Sequence, residues 1–199
     1  MISVKSAFPK KQLEYAKLSR DEVARLQTTF DGEIDIVYPE QKLYDLHCQN
    51  AVVSSVAFLE GMTQTYCNDE NIDRENEIPS HLGVEEELEY ILDDLGHNSD
   101  PLTGQEEMSV IRHLRNDLIH FEATSVRVGH EYEEYNTDEE LRNLDFPNYP
   151  LSDSTRGYPF KWFSHELAER SVRRAFHIWR LFARQQKREE ELIAGIPSL

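Results

Sequence analysis

Apolar residues recur every three or four positions along most of the chain, and that spacing predicts helices. Leu43, Leu46, Asn50, Val53 and Ala57, with Val56 and Leu59 beside them, outline a long first helix over 41–67. Ala51, Ser54, Ser55, Ala57 and Gly61 are small enough to let a neighbouring helix approach closely. Asn68 to Ser80 is polar and reads as a loop. Val84, Leu88, Ile91, Leu92 and Leu95 give a second helix with Gly96 as its C-cap. Its other side, Glu85, Glu86, Glu87, Glu89, Asp93 and Asp94, reads as a solvated face. A capping box at Thr103 and Glu106 starts a third helix, whose stripe is Ile111, Leu114, Leu118 and Phe121. The last helix opens at Ser164, with Phe163 as a staple, and buries Ala168, Val172, Ala175, Phe176, Trp179, Phe182 and Ala183.

Two stretches break the pattern. Before residue 40 there is one capping box, Ser19 to Glu22, predicting a short helix at 20–28. Gly32 to Tyr38 then alternates apolar and polar residues up to Pro39, a short extended segment or edge strand. Between the third and last helices, residues 122–160 are far longer than the two to eight residues usual for a helix connection. This insertion has Val126-Arg127-Val128-Gly129, an acidic run at 131–140, a short helix capped by Thr137 with Glu140, and four tyrosines (Tyr132, Tyr135, Tyr149, Tyr158). Those rings suit stacking on bases, or pinning the insertion to the bundle. The division that follows is an N-terminal appendage (1–40), an all-α up-and-down bundle of four to five helices (41–188) carrying the 122–160 insertion, and a C-terminal tail (189–199).

Composition narrows the chemistry. With 39% hydrophobic residues in 199, the chain can bury a core. No apolar run approaches membrane-spanning length and the amino terminus lacks a signal-peptide pattern, so a cytoplasmic protein is expected, without membrane contact. Cys48 and Cys67 lack partners at zinc spacing and read as reduced thiols. No metal or cofactor motif is present: no glycine-rich phosphate loop, no His-Glu-x-x-His and no Gly-x-Ser-x-Gly. His47, His81, His97, His130 and His165 are scattered. A net charge of -17 opposes nucleic-acid binding, although the low lysine content suits a salt-rich cytoplasm. The charge is also uneven. Residues 161–188 hold eight Lys/Arg against two Glu, and Arg170, Arg173, His177, Arg180, Arg184 and Arg188 follow one another by three or four. That stripe is either a phosphate track, with Arg173 and Arg180 as substrate contacts, or a set of salt-bridge partners for the acidic helix 84–95.

The third helix carries the chemistry. Arg115 flanks its apolar arc, where a guanidinium is costly to bury without an anionic partner. Asn116 and His120 are one turn apart on the polar side with His113. Arg-Asn-x-x-x-His inside an amphipathic helix, Arg115-Asn116 to His120, resembles the signature of the HEPN superfamily. The Ala51 to Glu60 segment, ending Phe58-Leu59-Glu60, is similar to that family's first helix. The resemblance covers about residues 43–188. It implies a helical bundle, a homodimer with a composite site, and metal-independent endoribonuclease activity leaving a 2′,3′-cyclic phosphate, in a toxin–antitoxin or defence setting. His120 would then be acid or base, Arg115 the ligand of the phosphate and transition state, and Asn116 an orienting group. Arg112 would add a second phosphate contact, and Glu60 would either face the crevice or be a solvated glutamate. Family members silenced by nucleotidylation carry a Tyr two places after the His. Glu122 stands there in this chain, so that control is not implied, whereas a protein antitoxin or regulator remains compatible. A HEPN-like module that binds RNA, nucleotide or protein without cleaving is one alternative, and a plain helical interaction protein in which Arg115 simply pairs with a carboxylate such as Glu60 is the other. Positions 115 and 120 are about 140° apart on a straight helix, so one phosphate reaches both only if the helix is distorted or if two copies meet.

Overall fold

The computed structural model describes residues 4–30, 38–94, 102–124, 136–147 and 158–196. Residues 32–37 of the expected extended segment, the Gly96 cap, and Tyr132, Tyr135 and Tyr149 lie outside the described residues, while Tyr38 opens a helix instead of ending a strand. Among those described, every regular element is helical: α1 (Val4–Phe30), α2 (Tyr38–Glu70), α3 (Arg74–Glu77), α4 (Val84–Asp94), α5 (Gln105–Thr124), α6 (Asn136–Asn143), a 3-10 turn (Phe160–Trp162), α7 (His165–Gln185) and α8 (Glu189–Leu192). No helix among them is long and apolar enough to cross a membrane. The architecture is the expected all-α bundle.

The 33-residue α2 is its axis, packing against α1, α7, α5 and α4. Being covered on several sides, it buries Tyr44, Cys48, Ala51, Val52, Val56, Phe58, Leu59, Met62, Tyr66 and Cys67. The regular spacing that begins at Leu43 and Leu46 is not the buried face: both are exposed. Hydroxyls caught in this packed interior are satisfied locally. Ser55 and Thr63 donate to the carbonyls of Ala51 (2.7 Å) and Leu59 (2.9 Å), one turn back. Both cysteines are buried and outside any disulfide, and the Cys48 thiol donates to the Ser164 carbonyl at 3.7 Å.

The N-terminal segment is more than the expected short helix at 20–28. All of 4–30 is helix, and Leu13, Ala16, Val23 and Leu26 enter the common core, so α1 is an integral part of the bundle. Gly61 sets how close it comes. A β-carbon there would lie 2.8 Å from Cγ of Pro9, so the α1 proline ring occupies the space a side chain would take. α7 follows the expected reading closely. Ser164 caps it, its Oγ accepting from the Leu167 N–H at 3.1 Å, with Phe163 buried beside it. Phe182 meets Tyr66 edge-on at 4.8 Å, and Trp179 donates to the Leu192 carbonyl, which ties α8 back onto α7.

Candidate active site on the motif helix

α5 begins after Gly104, whose φ of +94° only glycine adopts readily, and runs without interruption to Thr124. A distortion near position 120 is therefore absent from the backbone. Ile111, Leu114 and Leu118 fill the core as expected. Arg115 leaves this arc towards α2, where its guanidinium donates to Glu60. Arg115 is half-buried, and its Nε has no hydrogen-bond partner among the described residues. Asn116 is half-buried next to it. The side chains of His120 and Phe121 lie outside the described residues, although the helix through them does not.

The other face of α5 is covered by the end pieces of the insertion. His113 Nδ1 lies 3.5 Å from Glu140 of α6, and the Tyr158 hydroxyl donates to Asp117. Burial, and then the Asp117 carboxylate, push the Tyr158 hydroxyl well above the ordinary tyrosine range, so it stays a proton donor. Asp138 anchors the same region from α6, accepting from Trp162 Nε1 and Lys161 Nζ, each at 2.8 Å. Of the insertion's tyrosines, the one described pins the loop to the motif helix.

The remaining expected contacts fall elsewhere. Arg112 is turned to α4: Nε and Nη2 donate to Glu85 at 3.1–3.3 Å. Glu85 is only 1% exposed, and Gly83 leaves room for that guanidinium, since a β-carbon there would lie 2.5 Å from Nη2. Glu87, also buried, holds Arg74 at 2.7 Å, and burial raises its pKa. The α4 carboxylates expected to be solvated thus include two that clamp arginines. Arg173 pairs with Glu169 (3.7 Å) and Arg180 with Glu189 (2.6 Å), so neither is joined to Arg115. The α7 stripe does form salt bridges, with the partners corrected: Glu107 takes Arg170 and Arg174, Glu189 takes Arg180 and Arg184, and Glu70 and Glu191 take Arg188.

Glu107, Glu85, Asp117 and Glu140 were not foreseen as anchors. For Glu107 the signal exists: it stands four residues before Ile111 on the same stripe, where a carboxylate demands a cation. Arg115 and Glu60 are brought together at the α2–α5 seam, whereas Arg112, Arg173 and Arg180 are not. No group of three or more His, Cys, Asp or Glu among the described residues is arranged to hold a metal ion. No family model, curated protein or solved structure matches the chain, so the HEPN resemblance rests on Arg115, Asn116 and His120 and the helices that carry them.

Proposed function

We propose that the protein is a metal-independent endoribonuclease that works as a homodimer, with RNA as its substrate and a toxin or defence role held in check by a protein partner. The continuity of α5 carries this reading. An unbroken helix turns positions 115 and 120 to different sides, so a shared phosphate calls for a second copy. An exposed apolar residue beside the seam supports that second copy. Ile119 is 51% exposed and lies one turn beyond Arg115. An exposed apolar side chain of α5 therefore stands one turn from the Arg115–Glu60 pair.

In such a dimer the 2′-hydroxyl attacks the adjacent phosphorus as its proton passes to a base. The 5′-oxygen leaves as it takes a proton from an acid. His120 suits either role at neutral pH. Arg115 gives planar donors to the phosphorane oxygens and keeps its proton throughout. Glu60 fixes the guanidinium while RNA is absent, and an incoming phosphate exchanges for that carboxylate. Asn116 orients the phosphate from the adjoining position.

The same ion pair favours a second reading. Arg115 neutralised by Glu60 is also what a bundle that binds RNA without cutting it would contain. Incubating a mixed cellular RNA pool in EDTA with wild type and His120→Ala separates the two. Cutting by wild type, reduced about 10²–10⁴-fold in the variant, is the expected outcome. RNA that is retained but uncut by well-folded wild-type protein would overturn catalysis in favour of binding.

A further inference from the structure

On the outer side of α7, away from the contacts of Arg115, an open groove of about 740 Å³ runs beneath the C-terminal turn. Arg173, Arg174, His177 and Arg180 line it together with Phe176, Ile193 and Ile196. We propose that this groove binds an oligophosphate ligand, either a nucleoside polyphosphate or free inorganic polyphosphate, whether or not the α5 motif cleaves RNA.

Charge is the first support. Three carboxylates, Glu107, Glu166 and Glu189, serve four guanidiniums, those of Arg170, Arg174, Arg180 and Arg184. A protein of net charge -17 thus keeps a patch of uncompensated positive charge on one helix. Geometry is the second. Glu107 accepts from Nε of Arg174, and Glu189 accepts from Nε of Arg180 (2.6 Å) and Arg184 (2.8 Å). Each carboxylate fixes the inner edge of its arginine. The terminal nitrogens of Arg174 and Arg180 have no hydrogen bond among the described residues. That is how a guanidinium is held ready for phosphate oxygens. Arg170 differs: its terminal nitrogens donate to the Leu144 and Asp145 carbonyls, and it stacks 3.9 Å above Phe146, so its role is structural. Arg173 is 67% exposed at the rim, held only by Glu169 at 3.7 Å.

Spacing sets the ligand class. Arg173 and Arg180 are seven residues apart, about 10 Å along the helix, so one phosphate cannot reach both while two or three in a row can. The apolar side of the groove gives a base or sugar a surface to rest on, and its volume lies in the range of small-ligand sites. His177 reports the same field. Burial first, then Arg174, Arg184 and Arg180, hold its imidazole below the ordinary histidine range. Around it stand Thr103 (3.3 Å) from the turn before α5, Glu107 of α5 behind Arg174, and Glu189 of α8 behind Arg180. Lys10 of α1 reaches the C-terminal turn at Ala194. A bound oligophosphate would offset those cations and bring the His177 pKa back up.

Titration calorimetry of the full chain with pyrophosphate and with ATP, at low salt, tests this. Saturable binding by either probe is expected, weakened about tenfold or more by Arg173→Glu with Arg180→Ala, and unchanged by Arg115→Ala. Equal affinity for the two probes identifies free polyphosphate as the ligand class, and tighter ATP identifies the nucleotide. The His177 ring resonances, followed by NMR, should titrate at higher pH with the probe bound. Absence of saturable binding by both probes, or binding that survives the double substitution, overturns the proposal. So does a double variant that loses only RNA affinity, which would return these arginines to an RNA track. RNA cleavage in EDTA by the same protein stands or falls separately.

Discussion

Glu107 has only 5% of its surface exposed and carries two guanidiniums from another helix. Its place on the Ile111–Leu114–Leu118 stripe means that its charge is compensated only by Arg170 and Arg174. Removing the carboxylate leaves Arg174 without an anion and Arg170 with only Glu166, at 3.5 Å. Glu107→Ala is expected to lose about 3 kcal/mol, at the lower end for a broken buried pair because the arginine ends reach solvent. Glu107→Gln, which keeps an acceptor, is expected to lose about half as much. Urea unfolding of both variants checks the order, and equal losses would mean that packing rather than charge holds the joint. The Arg115–Glu60 pair looks similar at this scale but differs in exposure: Glu60 is in reach of water, so exchange of its carboxylate for phosphate is far cheaper than at Glu107.

At the scale of elements, Gly61 shows how the bundle's closest helix contact is made. Alanine is the better helix former by about 1 kcal/mol, yet its β-carbon would press on Pro9 at 2.8 Å, and a proline ring yields little. Gly61→Ala is expected to bring a net loss of up to about 2 kcal/mol, read as a lower urea midpoint, and a gain would show that α1 shifts freely. That contact also explains what the sequence disclosed and what it did not. α4, α5 and α7 were readable because each has one buried stripe bounded by caps or glycine. α1 was not. Its core residues Leu13, Ala16, Val23 and Leu26 are diluted by Phe8, Tyr15 and Leu18, which are exposed. Pro9 also stands where a helix interior disfavours it. The α2 stripe misled for a different reason. A helix packed by four neighbours buries much of its circumference, so its most regular apolar spacing need not mark the inside. In the site, Arg115 and its dependence on a carboxylate were legible from the stripe it interrupts. The partners of Arg112, Arg173 and Arg180 were not, because interhelical ion pairs depend on packing that spacing alone does not specify.

For the whole molecule, the exposed seam and the uninterrupted α5 make a prediction that neither makes alone. If Arg115 of one protomer works with His120 of its partner, each dimer holds two sites, each built from both chains. A heterodimer of Arg115→Ala and His120→Ala then contains one site with both residues lost and one fully intact. Either variant alone has no intact site. Mixing the two inactive variants at equal amounts, after exchange of subunits, should restore roughly a quarter of wild-type cleavage: half of the dimers are mixed, and each of those has one working site of two. Ile119→Asp should block this rescue, because a carboxylate in an apolar contact is costly to bury, and the protein should sediment as a monomer. Restoration without Ile119 dependence would place the shared surface elsewhere. Failure of the mixture to regain activity, with mixed dimers demonstrated, would mean that each chain holds a complete site, and that the side chain at position 120 reaches the Arg115 phosphate despite the regular helix beneath it.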